Sequence, residues 1–264
     1  MKSNRPTVAD ILALKGKRQL SMLRVVTLEE AEAADKAGIE IVSVPPALLG
    51  PAFRDAAPSV FAIPGLEYGD FVTAEEYLRA AFQAMRAGGD AVYCAASLGI
   101  IRSLRDEGIP VCSHVGLIPS KATWTGGFKA VGKTADSAMA IWNAVKALEA
   151  AGAFAAEIEV VPAEVASLIS ANTSLFMISM GAGAGCDAQY LFADDVLGQT
   201  RGHVPRHAKA YRNFAAEFDR LQQERIAAFR EFGQDVESGA YPAERHNVGV
   251  TADELARFRT MING

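Results

Sequence analysis

The chain has 264 residues, 50% of them hydrophobic and 22% charged, with a net charge of -5. That is enough chain for a sizeable core and too little basic charge for a phosphate backbone, so nucleic acid is excluded as a partner. No apolar run reaches the roughly 18 residues of a membrane span, and the opening "MKSNRPTVAD" lacks a signal peptide's apolar core, so a cytoplasmic protein with a small-molecule substrate and no membrane contact is expected.

Eight short β-rich runs alternate with stretches of helical period. In chain order they are "LSMLRVV" (20–26), "IEIVSV" (39–44), "SVFAI" (59–63), "DAVYC" (90–94), "PVCSHV" (110–115), "FAAEIEV" (154–160), "SLFMISM" (174–180) and "AQYLF" (188–192). The helical stretch "TAEEYLRAAFQAMRAGG" (73–89) opens on a Thr-x-x-Glu capping box and closes on glycines. Eight such units predict a (β/α)8 barrel rather than an open doubly wound sheet. From Pro205 to Gly264 the chain reads as helical and rich in Arg and Glu, with no glycine- or proline-rich linker before it. The expected organisation is a single barrel domain over 1–264 with 205–264 as a C-terminal helical extension, packed outside the barrel or against a neighbouring subunit.

The sixth run raises a question, because Glu157 and Glu159 lie two apart in an apolar strand that ends before Pro162. Strand alternation puts Ala155, Glu157 and Glu159 on one face, with the carboxylates spaced roughly 7 Å along it. Catalytic groups of such barrels sit at the C-terminal ends of the strands, where Glu159 lies nearest the rim. A carboxylate held at an apolar mouth suits a general base that takes a proton from carbon. The competing reading turns both glutamates outward, into salt bridges beneath the helices.

The segments "HVGLIPS", "GGFKAVGK", "EIEVVPAE", "MGAGAGCDAQ", "DDVLGQTRGHVPRHAKAY" and "YPAERH" occur in this order. Together they resemble ketopantoate hydroxymethyltransferases, and the resemblance runs from "TVADILALK" to His246. It implies a (β/α)8 barrel of the phosphoenolpyruvate/pyruvate superfamily, assembled as a homo-oligomeric decamer. It also implies deprotonation of a magnesium-bound 2-oxo acid and addition of a one-carbon unit from methylenetetrahydrofolate. Carried across, the resemblance makes Glu159 the general base and His114 the histidine of the family's "GHxGLTP" stretch. The family's metal carboxylates fall on Pro46, Ala62 and Ala95, its carboxylate-holding serine and lysine on Ala47 and Tyr93, and its Tyr-Asp pair on Val26-Thr27. The expected site therefore has Glu159 and His114 as catalytic groups and Tyr93, Ala47, Cys112 and Glu157 around the substrate, with no metal ligand. Glu67 and Asp70, in "GLEYGD", are the nearest carboxylates to the third-strand position.

Three functions fit this pattern. The first is a divergent enzyme that forms or breaks a C–C bond beside a carbonyl without the magnesium site, the second the genuine hydroxymethyltransferase, and the third a catalytically silent paralogue. The other candidates carry less chemistry. "GAGAG" reads as a tight turn ahead of a phosphate cradle, since no P-loop lysine follows. The three cysteines, Cys94, Cys112 and Cys186, have no metal-ligand spacing, and Cys112 is read as core filler ahead of a nucleophile beside His114. Arg24 reads as a surface side chain ahead of an inward partner for Glu157, and His203 and His207 as solvated.

Overall fold

A computed structural model of the chain describes residues 5–264. It contains a first compact unit ending at Arg212 and a second spanning Asn213–Gly264. The first unit holds eight parallel strands: β1 (Leu20–Arg24), β2 (Ile41–Val44), β3 (Phe61–Pro64), β4 (Val92–Tyr93), β5 (Val111–Gly116), β6 (Ala155–Glu159), β7 (Phe176–Met180) and β8 (Ala188–Phe192). Its helices are α1 (Val8–Leu14), α2 (Leu28–Lys36), α3 (Pro51–Ala56), α4 (Ala74–Arg86), α5 (Leu98–Asp106), α6 (Ala122–Thr125), α7 (Ala135–Ala151), α8 (Ala163–Ala171) and α9 (Ala193–Leu197).

The strands form one sheet in the order β3-β2-β1-β8-β7-β6-β5-β4. Its two ends meet: the Asp90 N–H donates to the Ala62 carbonyl at 2.9 Å, and the Leu66 N–H to that of Tyr93 at 2.8 Å. The result is the expected (β/α)8 barrel, with all eight runs found as strands. Alternation along each strand divides the apolar side chains between two layers. Leu20, Met22, Ile41, Phe61, Ile63, Phe176 and Ile178 fill the barrel interior. Val42, Val44 and Ala62 face the helices on one side, as do Ala156, Ile158 and Met177 on another. The capping box read at Thr73 and Glu76 is present at the start of α4.

Two features were not anticipated. Helix α1 carries Ile11, 1% exposed, into the interior cluster and so packs with the barrel core. No helix separates β7 from β8; residues 181–187 link them as a loop with left-handed glycines at 181 and 183.

Loop and barrel are tied by Asp187, which is 5% exposed. Its carboxylate accepts from Lys15 Nζ at 2.7 Å, the Met177 N–H at 2.8 Å and the Gly16 N–H at 3.2 Å. Removing it leaves a largely buried ammonium with the Ser170 carbonyl but no counter-charge, and strands two backbone donors. Asp187→Ala is therefore expected to lower unfolding free energy by about 3 kcal/mol or more in urea titration. A loss below about 1 kcal/mol would contradict this account of the Asp187 network.

The second unit contains α10 (Phe214–Ser238) and α11 (Ala252–Asn263). The regular extension starts at Phe214, nine residues after the expected Pro205; turns and irregular chain occupy the residues between. Along α10, Phe218, Leu221, Phe229, Phe232 and Val236 are all exposed.

Candidate active site

The ends of β4, β5 and β6 gather four polar side chains at the barrel mouth. In the parallel ladder Tyr93 pairs with Cys112, His114 with Glu157, and Gly116 with Glu159. Side chains two apart share a face, so His114, Glu157 and Glu159 stand above Cys112 and Ala155, which belong to the interior cluster. Gly116 makes the close approach possible: it is left-handed (φ 88°), and a Cβ there would lie 2.4 Å from the Glu159 carbonyl oxygen. The next residue after Glu159, Val160, is also left-handed (φ 50°), a conformation costing a β-branched residue roughly 1–2 kcal/mol. That strain sits where β6 turns away from the mouth.

The four side chains form one network. The Tyr93 hydroxyl donates its single hydrogen to Glu157 Oε2 at 2.9 Å, so its oxygen accepts from His114 Nδ1–H at 2.6 Å. The other ring nitrogen, His114 Nε2, lies 3.1 Å from Glu159 Oε2 and 3.9 Å from Glu157 Oε1. Neither contact is aligned as a hydrogen bond. His114, Glu157 and Glu159 are all buried, and their ligand atoms lie within 4.8 Å of one another. The carboxylates therefore converge, closer than the strand spacing alone implies.

Burial pushes the Glu157 carboxyl pKa up, against the opposing charge of His114. Burial and the Glu157 charge push the Tyr93 phenol well up. For His114, burial disfavours the imidazolium, but the two glutamates outweigh it and hold the pKa above its ordinary value. The Cys112 thiol is also pushed up, chiefly by burial, so a thiolate nucleophile is not favoured there.

Above the network opens a cavity of about 560 Å³. Tyr93, His114, Glu157 and Glu159 line it, whereas Ala47 and Cys112 do not. Ala47 lies exposed on the turn after β2, and Cys112 lies in the barrel interior, 0% exposed. Arg24 and His207 do line the cavity. Arg24 reaches within 3.6 Å of Glu67 and 5.9 Å of the Phe192 ring centre, so it is not the surface side chain expected from sequence. Alternation held the signal, since Leu20 and Met22 share its face and fill the interior. His207 is half-buried rather than solvated, and a Cβ on Gly181 would lie 2.7 Å from its Nδ1. His203 is exposed, as expected.

A family model described as ketopantoate hydroxymethyltransferase matches residues 50–244. The chain belongs to the ketopantoate hydroxymethyltransferase family. A 3-methyl-2-oxobutanoate hydroxymethyltransferase of Oleidesulfovibrio alaskensis is 30% identical over 98% of this chain and 96% of its own. The enzyme designated 3-methyl-2-oxobutanoate hydroxymethyltransferase 1 of Methylibium petroleiphilum is 35% identical over 80% of this chain and 71% of its own. Among solved structures, a 2,3-dimethylmalate lyase of the PEP mutase/isocitrate lyase superfamily shares the fold, with a TM-score of 0.50, 14% identity, and coverage of 97% of this chain and 99% of that one.

The family resemblance implies magnesium, and the residues at its expected positions do not fit that ion. Pro46 is exposed on a turn, and Ala95 presents only a methyl group to the cavity. Ala62 faces the helices, so the third-strand position was misplaced; the residues there that line the cavity are Gly65, Leu66 and Glu67. Glu67 alone among these offers a carboxylate, and it is more than half exposed and faces Arg24. A hard dication needs several oxygen ligands.

Proposed function

We propose that this chain is an enzyme that removes a proton beside the carbonyl of a small 2-oxo acid, or a related carbonyl acid, and forms or breaks a C–C bond there. Glu159 is the proton acceptor in this reading. The observation that carries it is the placement of the Glu159 carboxylate at the C-terminal end of β6, lining the cavity beside buried His114. Arg24, the only Lys or Arg among the described residues that line the cavity, is the anchor for the substrate's carboxylate. The proton passes from carbon to the Glu159 carboxylate, and the electron pair moves onto the carbonyl oxygen. Protonated at Nε2, His114 supports that developing charge, while Tyr93, whose one hydrogen goes to Glu157, holds the ring in place. The reaction then proceeds without the family's magnesium arrangement, and Glu157 serves to hold Tyr93 and His114 in place.

The genuine 3-methyl-2-oxobutanoate hydroxymethyltransferase activity is the second reading, favoured by relatives of that name at 30–37% identity. A silent paralogue is a weaker account, because it leaves the enclosed network of His114, Glu157 and Glu159 without a use. Thermal-shift screening over 2-oxo acids tests the substrate class. A ligand at a hundred times its Kd stabilises by about 2.7 kcal/mol, and Arg24→Met is expected to abolish the shift. Equal shifts in both proteins would remove Arg24 from the binding role.

We also propose a homo-oligomer, supported by the exposed apolar side chains along α10. Its scattering mass is expected to be a multiple of 28.0 kDa; the mass of one chain would contradict this.

A further inference from the structure

We infer that His114, Glu157 and Glu159 form a binding site for one divalent transition-metal ion of the manganese-to-zinc series. The site lies on β5 and β6, next to β4, whereas the family resemblance locates magnesium at the ends of β2, β3 and β4. It goes beyond the proton-acceptor reading and does not depend on it.

The first ground is an orphaned atom. His114 is 8% exposed, and its buried Nε2 has no hydrogen-bond partner among the described residues. The ring's orientation is fixed from the other side. Tyr93 gives its only hydrogen to Glu157, so His114 donates through Nδ1 and leaves Nε2 to face the two carboxylates. That arrangement calls for a positive charge at Nε2, either a proton or a metal ion.

A proton on Nε2 would supply the charge, but the N–H is aligned with neither carboxylate. Coordination produces this misalignment naturally. An ion on the lone-pair axis, with bonds of roughly 2.0–2.1 Å, places tetrahedral ligand oxygens off that axis and roughly 3.3 Å from the nitrogen. The observed separations are 3.1 Å to Glu159 Oε2 and 3.9 Å to Glu157 Oε1. Two carboxylates match a dication's charge, and one imidazole nitrogen favours a first-row transition ion over magnesium.

Tyr93 completes the pattern as a positioning residue. It touches two of the three ligands at once, accepting from the ring nitrogen that does not ligate and donating to the Glu157 oxygen that faces away from Nε2. The open coordination positions face the cavity, where a carbonyl oxygen can bind. Glu159 ligates through Oε2 and keeps its second oxygen for a proton.

The test uses the full chain, stripped with a chelator and titrated with Co2+, whose visible absorption bands report coordination, and then with Zn2+ in competition. One ion per chain is expected, with bands that excess magnesium does not displace. His114→Gln and Glu157→Gln each remove a ligand and should weaken binding by more than about a hundredfold. Tyr93→Phe keeps every ligand and should weaken it by about ten- to a hundredfold, which keeps the proposal testable if a ligand variant fails to fold. Absence of Co2+ bands up to millimolar ion would overturn the site and leave a proton on His114. Affinity unchanged in all three variants would place the ion elsewhere and overturn it equally. Because the readout is spectroscopic, failure here is distinct from failure of the proton-acceptor reading.

Discussion

Glu159→Gln is expected to slow proton removal from carbon by about a thousandfold while leaving the melting temperature nearly unchanged. The exchange keeps the shape of the side chain and a hydrogen-bonding oxygen, and deletes basicity. Its neighbours allow the swap to be conservative. The side chain is 12% exposed, lies against the His114 ring rather than in the apolar core, and takes no aligned hydrogen bond from Nε2. A thousandfold corresponds to about 4 kcal/mol of barrier, within the range a positioned general base supplies. The measurement need not await the full reaction. In deuterated water, exchange of the hydrogen beside the carbonyl of a bound 2-oxo acid can be followed by NMR. Wild-type exchange with a variant slowed about a thousandfold is the expected result, and an unimpaired variant would show that the base lies elsewhere.

Much of the barrel was legible because its strands are short apolar runs bounded by glycine, proline or charge. "PVCSHV" became β5 at Val111–Gly116 and "FAAEIEV" became β6 at Ala155–Glu159. Helix α1 was overlooked, although Thr7 and Asp10 form a capping box and Val8, Ile11 and Leu12 follow helical spacing onto the interior cluster. Helix α10 starts at Phe214, after an irregular stretch that the Arg- and Glu-rich composition of the tail does not reveal.

For the candidate site, alternation located Glu157 and Glu159 on one face and His114 above Cys112. It did not show that Tyr93 would bridge His114 and Glu157, because that contact joins residues 64 apart in sequence. Two misreadings came from the same rule applied loosely. Arg24 shares its face with Leu20 and Met22 and had to point inward, and Ala62 lies between the inward residues Phe61 and Ile63 and had to point outward. A shift of one residue in a strand moves a side chain to the opposite face, so a ligand position borrowed by resemblance is only as good as its register.

The central proposal is that Glu159 on β6 serves as the base and that the ends of β2, β3 and β4 offer magnesium too few oxygens. Pro46 and Ala95 have no side-chain donor, Ala62 faces the helices, and Glu67 is exposed beside Arg24. In the chemistry that the resemblance implies, magnesium chelates the 2-oxo acid and supports the enolate by several kcal/mol, so losing it costs at least about a thousandfold in rate. Tyr93, where the resemblance expects a lysine, is bonded to His114 and Glu157 rather than available as a cation. The most direct measurement is ketopantoate formation from 3-methyl-2-oxobutanoate and methylenetetrahydrofolate, with magnesium at saturating concentration and then withdrawn. The account predicts a rate at least about a thousandfold below that of the named relatives and insensitive to magnesium. Turnover as fast as theirs, rising with magnesium and lost when it is removed, would contradict it.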